Sequence, residues 1–220
     1  YELDRAYGPG WDAPASDFGR PIVNLGDIHV EKLDTVAMEG ADDMLDTLQP
    51  KAVVLHDLID FEARNHHNKK DPLFLAQMYY ESKEVVENAF MRAYDFALSL
   101  KQKLPDATLY SIRSNHDTAF KKWLVESTGF PDAPNLEFWH RANARLYKAL
   151  AERDTAYDIY AWALREQDEK FYTKIDDVLT FIQEDESLVI NGIEFGMHGH
   201  LGPNGSRGNP KAFRQIGRRA

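Results

Sequence analysis

The sequence contains no cysteine, which excludes disulfide bonds and metal sites built from thiolates. Any metal ion that the chain binds must therefore be held by histidine, aspartate, glutamate or asparagine. These ligands suit Mn, Mg, Fe or Zn in a catalytic site better than a structural zinc site. The absence of cysteine also fits a reducing cytoplasm, where we expect the protein to act.

Long apolar runs are also absent. No stretch approaches the roughly 18 apolar residues of a membrane-spanning helix, so no membrane partner is expected. No signal peptide is visible. The first residue is Tyr1 and not Met, so we expect the natural N-terminus to be missing.

Positive charge is scarce, since 26 Lys and Arg face 36 Asp and Glu and the net charge is −10. A module that only binds nucleic acid is usually basic, which disfavours that class. The end of the chain is an exception, because residues 201–220 carry five positive charges and no carboxylate side chain. They could contact phosphates or form a solvated chain end. These residues are Arg207, Lys211, Arg214, Arg218 and Arg219.

The first half of the sequence alternates between short apolar runs and helical patterns. This alternation predicts a parallel sheet with crossover helices, an α/β fold. The expected strands are residues 21–25, 52–55 and 107–112. The expected helices are residues 35–48 and 73–104, the second of them either continuous or broken once.

The second half contains an aromatic segment, residues 120–181, that is expected to be mostly helical. Its aromatic side chains could pack on the α/β core, form a stacking platform for bases, or make a subunit contact in a homo-oligomer. Further along, Asn191-Gly192 lies between two apolar runs, which is a strong signal for a β-hairpin with a type I′ turn.

These patterns divide the chain into four expected segments. A lead-in loop comes first, followed by the first half of an α/β core, a helical insertion and the second half of the core. The expected boundaries are 1–20, 21–119, 120–185 and 186–220.

Polar clusters follow each of the three expected strands and the hairpin. The carboxyl ends of strands form the ligand crevice of an open α/β sheet, so these clusters should converge there. Gathered carboxylates would repel one another without cations, which favours a metal site. The clusters are Gly26–His29, His56–Asp60, Ser114–Asp117 and His198–His200.

The residue types indicate how two ions could be held. Asp27 and His29 are two residues apart, so in an extended segment they point the same way and can serve one ion. Asp57 has two carboxylate oxygens, which suits a bridge between ions. Asn115 offers an amide oxygen to a second ion, and His198 adds an imidazole.

The combined pattern resembles the calcineurin-like metallophosphoesterase superfamily over residues 22–117 and 187–205. That resemblance implies a four-layer sandwich, with two sheets packed between helices. It also implies two divalent ions, with Mn²⁺ expected first and Mg²⁺, Fe or Zn²⁺ as alternatives. The matching motifs are Asp27-x-His29, Asp57-x-x-Asp60, Asn115-His116-Asp117 and His198-Gly199.

The resemblance also implies a mechanism in which a hydroxide that bridges the ions attacks a phosphate ester. The ligands it implies are the five named above. His116 would face the scissile phosphate as a general acid or as a stabiliser of the transition state. Asp60 would hold His116 by a hydrogen bond.

The sequence departs from the family pattern at three places. His56 and Ser114 stand where the family has glycine, which suggests a different backbone before Asp57 and Asn115. The family's final G-H-x-H motif is missing, so we expect the chain to be truncated before it. His198 fits the ligand position better than His200, which could instead contact substrate.

The expected substrate is DNA or another phosphate ester. The pattern is similar to phage-encoded members of the superfamily, which implies a nuclease that degrades DNA in the host cytoplasm. A phosphomonoesterase, a nucleotide or protein phosphatase, or a non-catalytic scaffold remain alternatives. The candidate substrate-binding residues are His66, His67, His200 and Arg207.

Overall fold

The computed structural model describes residues 20–64, 71–126, 132–183, 186–196 and 198. Its centre is a four-stranded sheet in which all neighbouring strands are parallel and the spatial order follows the chain. This sheet and its flanking helices confirm the predicted α/β class. The strands are β1 (Ile22–Leu25), β2 (Ala52–His56), β3 (Thr108–Ile112) and β4 (Leu179–Ile182).

Helices connect the strands. The helix predicted at residues 35–48 is confirmed, and Asp34 caps it by accepting a hydrogen bond from the Ala37 amide at 2.9 Å. The pattern at 73–104 forms two helices, so it has the one break that the sequence allowed. The helices are α1 (Thr35–Leu48), α2 (Pro72–Tyr80), α3 (Val86–Lys103), α4 (Asp117–Glu126), α5 (Leu136–Glu152), α6 (Ile159–Arg165) and α7 (Asp168–Phe171).

The fourth strand differs from the sequence expectation. Residues 120–181 were expected to be mostly helical, but β4 lies at the end of this segment and pairs with β3 through Leu109↔Leu179. The predicted hairpin is confirmed. Its strands are β5 (Val189–Ile190) and β6 (Ile193–Glu194), and both turn residues have positive φ, 52° at Asn191 and 76° at Gly192.

The two faces of the sheet are covered differently. Val53 and Leu55 of β2 share a core with Phe90 and other residues of the helices. Val54 belongs to a separate cluster with Ile112 and Ile182. The residues packed against that second cluster include Leu188, Ile190 and Phe195 from the hairpin region. Because successive strand residues point to opposite faces, His56 shares the hairpin side with Val54.

Most aromatic residues of the second half are core residues. Trp123, Phe138, Tyr160 and Trp162 are buried and share the helix-side core, as the packing interpretation of this segment expects. Tyr172 by contrast is exposed. Among the described residues, no helix is both long and apolar enough to cross a membrane.

Candidate metal centre

The loops after β1 and β2 run side by side and carry the first two motifs. The His29 amide donates to the Asp57 carbonyl at 2.8 Å, and the Val30 amide donates to the Leu58 carbonyl at 3.0 Å. Three of the motif residues have positive φ: Asp27 at 50°, His29 at 45° and Asp57 at 50°. Asp27 and His29 therefore have left-handed backbone and the segment is not extended, which corrects the geometry assumed from the sequence. Such backbone in non-glycine residues clusters at functional sites.

Three side chains form a compact group at this edge. One potential ligand atom each from His29, Asp57 and His116 lies within 4.8 Å of the others. His29 Nε2 and Asp57 Oδ1 are buried and have no hydrogen-bond partner among the described residues. A buried polar atom without a partner is costly. A divalent cation would satisfy both atoms.

A second group surrounds the other oxygen of Asp57. His198 Nε2 lies 3.5 Å from Asp57 Oδ2 and 2.9 Å from Asn115 Oδ1. Neighbouring donors around an octahedral ion with bonds of about 2.1 Å lie about 3.0 Å apart. The distances from His198 Nε2 to the two oxygens are therefore compatible with ligands of one ion. Asp57 belongs to both groups, which is the position a bridging carboxylate needs.

Asp27 is placed differently from the other predicted ligands. Its side chain is exposed on the turn after β1, and it is not a member of the group formed by His29, Asp57 and His116. Its negative charge acts on the neighbouring His56. Its role as a ligand of the first ion stays a prediction.

His116 is held by Asp60, as the resemblance implies. His116 Nδ1 lies 2.9 Å from Asp60 Oδ1 and 3.3 Å from the Asp60 carbonyl oxygen. The hydrogen bond that His116 donates to the Asp60 carboxylate raises the pKa of His116 to about 9, and the same bond holds the pKa of Asp60 well below its usual range. Because Nδ1 is the nitrogen bound to Asp60, Nε2 is the ring nitrogen not engaged by Asp60.

Glu31 and Lys32 position the Asp60 loop, and the sequence analysis missed both. The Glu31 carboxylate accepts from the amides of Asp60 and Phe61 at 3.0 and 3.1 Å. Lys32 Nζ lies 2.7 Å from Asp60 Oδ2 and 3.1 Å from Glu62 Oε1. Burial raises the pKa of Glu31. The only sequence signal was the acid–base pair Glu31-Lys32, which is separated from Asp27-x-His29 by Val30.

Ser114 shapes the turn after β3 through hydrogen bonds of its side chain. Its hydroxyl oxygen accepts from the amides of His116 at 3.2 Å and Asp117 at 3.3 Å. Asp117 Oδ2 accepts from the Ser114 amide at 2.9 Å in return. Burial raises the pKa of Asp117 to about 7. This reciprocal pair orients Asn115 and His116 at the start of α4.

His56 is a further polar residue at the site, and the sequence analysis gave it no role. It is the last residue of β2 and is buried. Its Nδ1 lies 3.3 Å from Nδ1 of His198, and burial lowers the pKa of His56. The available signal was a histidine that ends an otherwise apolar strand directly before Asp57.

The predicted substrate-binding residues cannot be placed in this site. His66, His67, His200 and Arg207 lie outside the described residues. The lead-in segment 1–19 and the basic residues of 201–220 also lie outside them. Their predicted roles remain predictions.

The chain is similar to a phage protein. It is 38% identical over 204 residues to Protein A1 of Escherichia phage T5. The match covers 89% of this chain and 35% of that protein, so the chain spans about a third of its relative's length. No family model matches the chain, and no solved structure matches it.

Proposed function

We propose that the protein is a dinuclear-metal phosphoesterase of the calcineurin-like type that hydrolyses phosphodiester bonds, with DNA as substrate. The observation that carries this proposal is the position of Asp57. Its Oδ2 lies 3.5 Å from Nε2 of His198, which also contacts Asn115, while its Oδ1 is buried without a partner among the described residues. A bridge between two cations accounts for both oxygens.

The donor set fits two divalent ions. His29 and Asp57, with Asp27 as a predicted third ligand, would hold one ion, and Asp57, Asn115 and His198 would hold the other. Oxygen and imidazole donors of this kind suit Mn²⁺. When bound, such a pair of ions lowers the pKa of a water nucleophile and neutralises charge on a phosphoryl group.

The protein's own contribution to the chemistry comes from His116. The Asp60 hydrogen bond fixes the proton on Nδ1 and raises the pKa of the ring, so Nε2 also carries a proton at neutral pH. His116 is partly exposed, with 27% of its side chain accessible. It can therefore donate to a phosphoryl oxygen or protonate the departing alkoxide.

The sandwich architecture is part of this proposal. The hairpin region covers the sheet face opposite the helices, through Leu188, Ile190 and Phe195. A short antiparallel pair on that face is where the second sheet of the sandwich would begin. His198 follows this hairpin, so the second sheet would deliver a ligand to the edge of the first.

DNA is the proposed substrate for two reasons. The motif pattern is similar to phage-encoded phosphoesterases, and the matched relative is a phage protein. The five basic residues of 201–220 add positive charge to an otherwise acidic chain. Positive side chains of this kind bind the phosphates of a polyanionic substrate.

The test compares three substrates in the presence of Mn²⁺. We expect cleavage of linear duplex DNA and of a nitrophenyl phosphodiester, with weaker hydrolysis of the corresponding monoester. Replacing Asp57 by Asn should lower the rate by about 100-fold or more, since the ions contribute several kcal/mol. Asp43→Asn removes the same charge from the exposed side of α1 and should have no effect.

Two other outcomes would redirect the proposal. Hydrolysis of the monoester alone, lost with Asp57→Asn, would retain the phosphoesterase and exclude the nuclease. No hydrolysis of any ester by a protein that binds metal would contradict the catalytic role and favour a scaffold.

A further inference from the structure

His56 is a buried histidine at the end of β2, directly before the proposed metal ligand Asp57. The family pattern has glycine there, yet this chain places an imidazole that is only 8% exposed. It lies on the hairpin side of the sheet, the same side from which His198 approaches. The two rings have centroids 5.5 Å apart, and their Nδ1 atoms are 3.3 Å apart. That distance is close to a hydrogen bond between imidazoles.

The contact fixes how protons are distributed between the two rings. A neutral imidazole has one N–H donor and one acceptor nitrogen. A hydrogen bond between two Nδ1 atoms therefore requires a proton on one of them and a lone pair on the other. The state of each Nδ1 also decides the state of the Nε2 atom on the same ring.

Without a metal ion, Asn115 sets the arrangement. The amide oxygen of Asn115 lies 2.9 Å from His198 Nε2 and can only accept, so Nε2 carries the proton. In the neutral form of His198, Nδ1 then accepts, and His56 Nδ1 donates. With an ion bound, His198 Nε2 must offer a lone pair. The His198 proton then lies on Nδ1, and His56 becomes the acceptor.

We propose that His56 is a positioning residue for the metal ligand His198, and that it changes from hydrogen-bond donor to acceptor when the ion binds. This role rests on the function proposed above. Each ring keeps one proton in both states, so the exchange is balanced: His198 moves its proton from Nε2 to Nδ1, and His56 moves its proton from Nδ1 to Nε2.

The geometry favours this role over direct ligation by His56. His56 contacts Nδ1 of His198, whereas the Asp57 and Asn115 oxygens lie near Nε2. The two ring nitrogens point in diverging directions, so an ion bound at Nε2 lies away from His56. Metal-ligating histidines commonly use their second nitrogen in this way, to bind a group that fixes the ring.

A neutral partner also suits the charge of the site. Such partners are usually carboxylates, backbone carbonyls or water. A carboxylate at position 56 would stand directly beside the buried carboxylate of Asp57 and would raise the cost of ionising both. Histidine supplies an acceptor without adding a negative charge, and glycine would supply none.

The test compares two substitutions of His56 in the whole chain. His56→Asn keeps a side-chain acceptor near the position of Nδ1, while His56→Phe keeps the ring and removes the acceptor. We expect His56→Phe to weaken the binding of one Mn²⁺ by about 10- to 100-fold, with His56→Asn within a few-fold of wild type. Calorimetric titration measures both ions, and circular dichroism checks that the variants fold.

Nitrogen NMR of histidine-labelled protein gives a readout independent of activity. On addition of Zn²⁺, which is diamagnetic, the proton of His56 should move from Nδ1 to Nε2 while His198 Nε2 becomes the ligand. Direct coordination of His56 would overturn the proposed role. This measurement does not depend on the folding of any variant.

The outcomes separate the two proposals. If wild type binds no metal, both the proposed function and the role of His56 are overturned. If wild type binds two ions and a folded His56→Phe binds them equally well, the role of His56 alone is overturned. Weakened binding in His56→Phe together with recovery in His56→Asn supports it.

Discussion

Asp57 combines several features that are unfavourable for an aspartate with no ligand. Its side chain is 4% exposed, its Oδ1 has no partner among the described residues, and its φ is 50°. The left-handed region is tolerated by aspartate and asparagine better than by most residues. A buried carboxylate beside two histidines nevertheless costs stability unless a cation compensates it. These features are the ones that the proposed bridging role of Asp57 requires.

His116 is the residue that separates catalysis from metal binding. We expect His116→Asn to lower the turnover rate by about 100- to 10,000-fold, because the variant cannot protonate a leaving oxygen. Metal content should be largely retained, since Asp57, Asn115 and His198 remain. Rates at saturating Mn²⁺ and metal content by mass spectrometry measure the two effects.

His140 provides the control for this substitution. It is an exposed histidine on α5. His140→Asn should change neither the turnover rate nor the metal content. If His116→Asn lost its metal ions, His116 would be a ligand, as its proximity to His29 and Asp57 allows. Its assignment as the proton donor would then be wrong.

At the scale of elements, Asp158 joins α6 to the ends of two strands. Its Oδ1 caps the helix by accepting from the amides of Tyr160 at 2.9 Å and Ala161 at 3.2 Å. Its Oδ2 accepts from the Arg113 guanidinium and from Gln183 Nε2, the latter at 2.8 Å. Arg113 follows β3 and Gln183 follows β4. One carboxylate therefore fixes the helix against the sheet edge.

We expect Asp158→Asn to destabilise the fold by about 3–5 kcal/mol at pH 7, because it leaves the buried Arg113 charge unpaired. Burial tends to raise the pKa of Asp158, but the charge of Arg113 and the hydrogen bonds outweigh it and keep the pKa below its ordinary value. The carboxylate thus adds stability above its unfolded pKa of about 3.9. That stability is lost as the pH falls further.

Urea denaturation at pH 7 and pH 3 measures this effect. The difference between wild type and Asp158→Asn should shrink at the lower pH. Asp176→Asn is the matched control, because Asp176 pairs with Arg165 at the other end of α6 but is 51% exposed. Removing the Asp176–Arg165 pair should lower the free energy of unfolding by less than about 1 kcal/mol. An equal decrease in the free energy of unfolding for Asp158→Asn and Asp176→Asn would contradict the role given to Asp158.

The sequence was informative about elements whose signals are local. β1, β2 and β3 were predicted because each is an apolar run followed by polar residues, and the hairpin because Asn191-Gly192 suits its turn. β4 was missed because Leu179–Ile182 is only four residues long and follows a helical, aromatic-rich segment. Only its pairing with β3 makes it a strand, and that pairing is not a local property.

The site was predictable in its residue types and not in its supporting contacts. Asp57, Asn115, His116 and His198 could be grouped because each follows a strand or hairpin. The left-handed backbone at His29 could not be foreseen, since positive φ is uncommon in histidine and is much more weakly signalled than by glycine. Glu31, Lys32 and His56 act through contacts with distant segments, such as the 29-residue separation between Glu31 and the Asp60 amide.

At the scale of the whole molecule, the metal centre joins segments that are far apart in the sequence. The groups at His29, Asp57, Asn115 and His198 follow β1, β2, β3 and the hairpin. Helices cover one face of the sheet and the hairpin covers the other. A ligand that binds only the folded arrangement stabilises the protein by mass action. Metal binding should therefore stabilise the entire fold.

The measurement that tests the central claim most directly is Mn²⁺ binding, read as ions per chain and as the rise in Tm. We expect two ions per chain, and about 2.7 kcal/mol of added stability per site at a free Mn²⁺ concentration of 100 times Kd. Asp57→Asn should lose both effects, while its metal-free Tm should equal or exceed that of wild type. Asp43→Asn should behave as wild type. Absence of bound Mn²⁺, or equal binding by Asp57→Asn, would contradict the dinuclear centre.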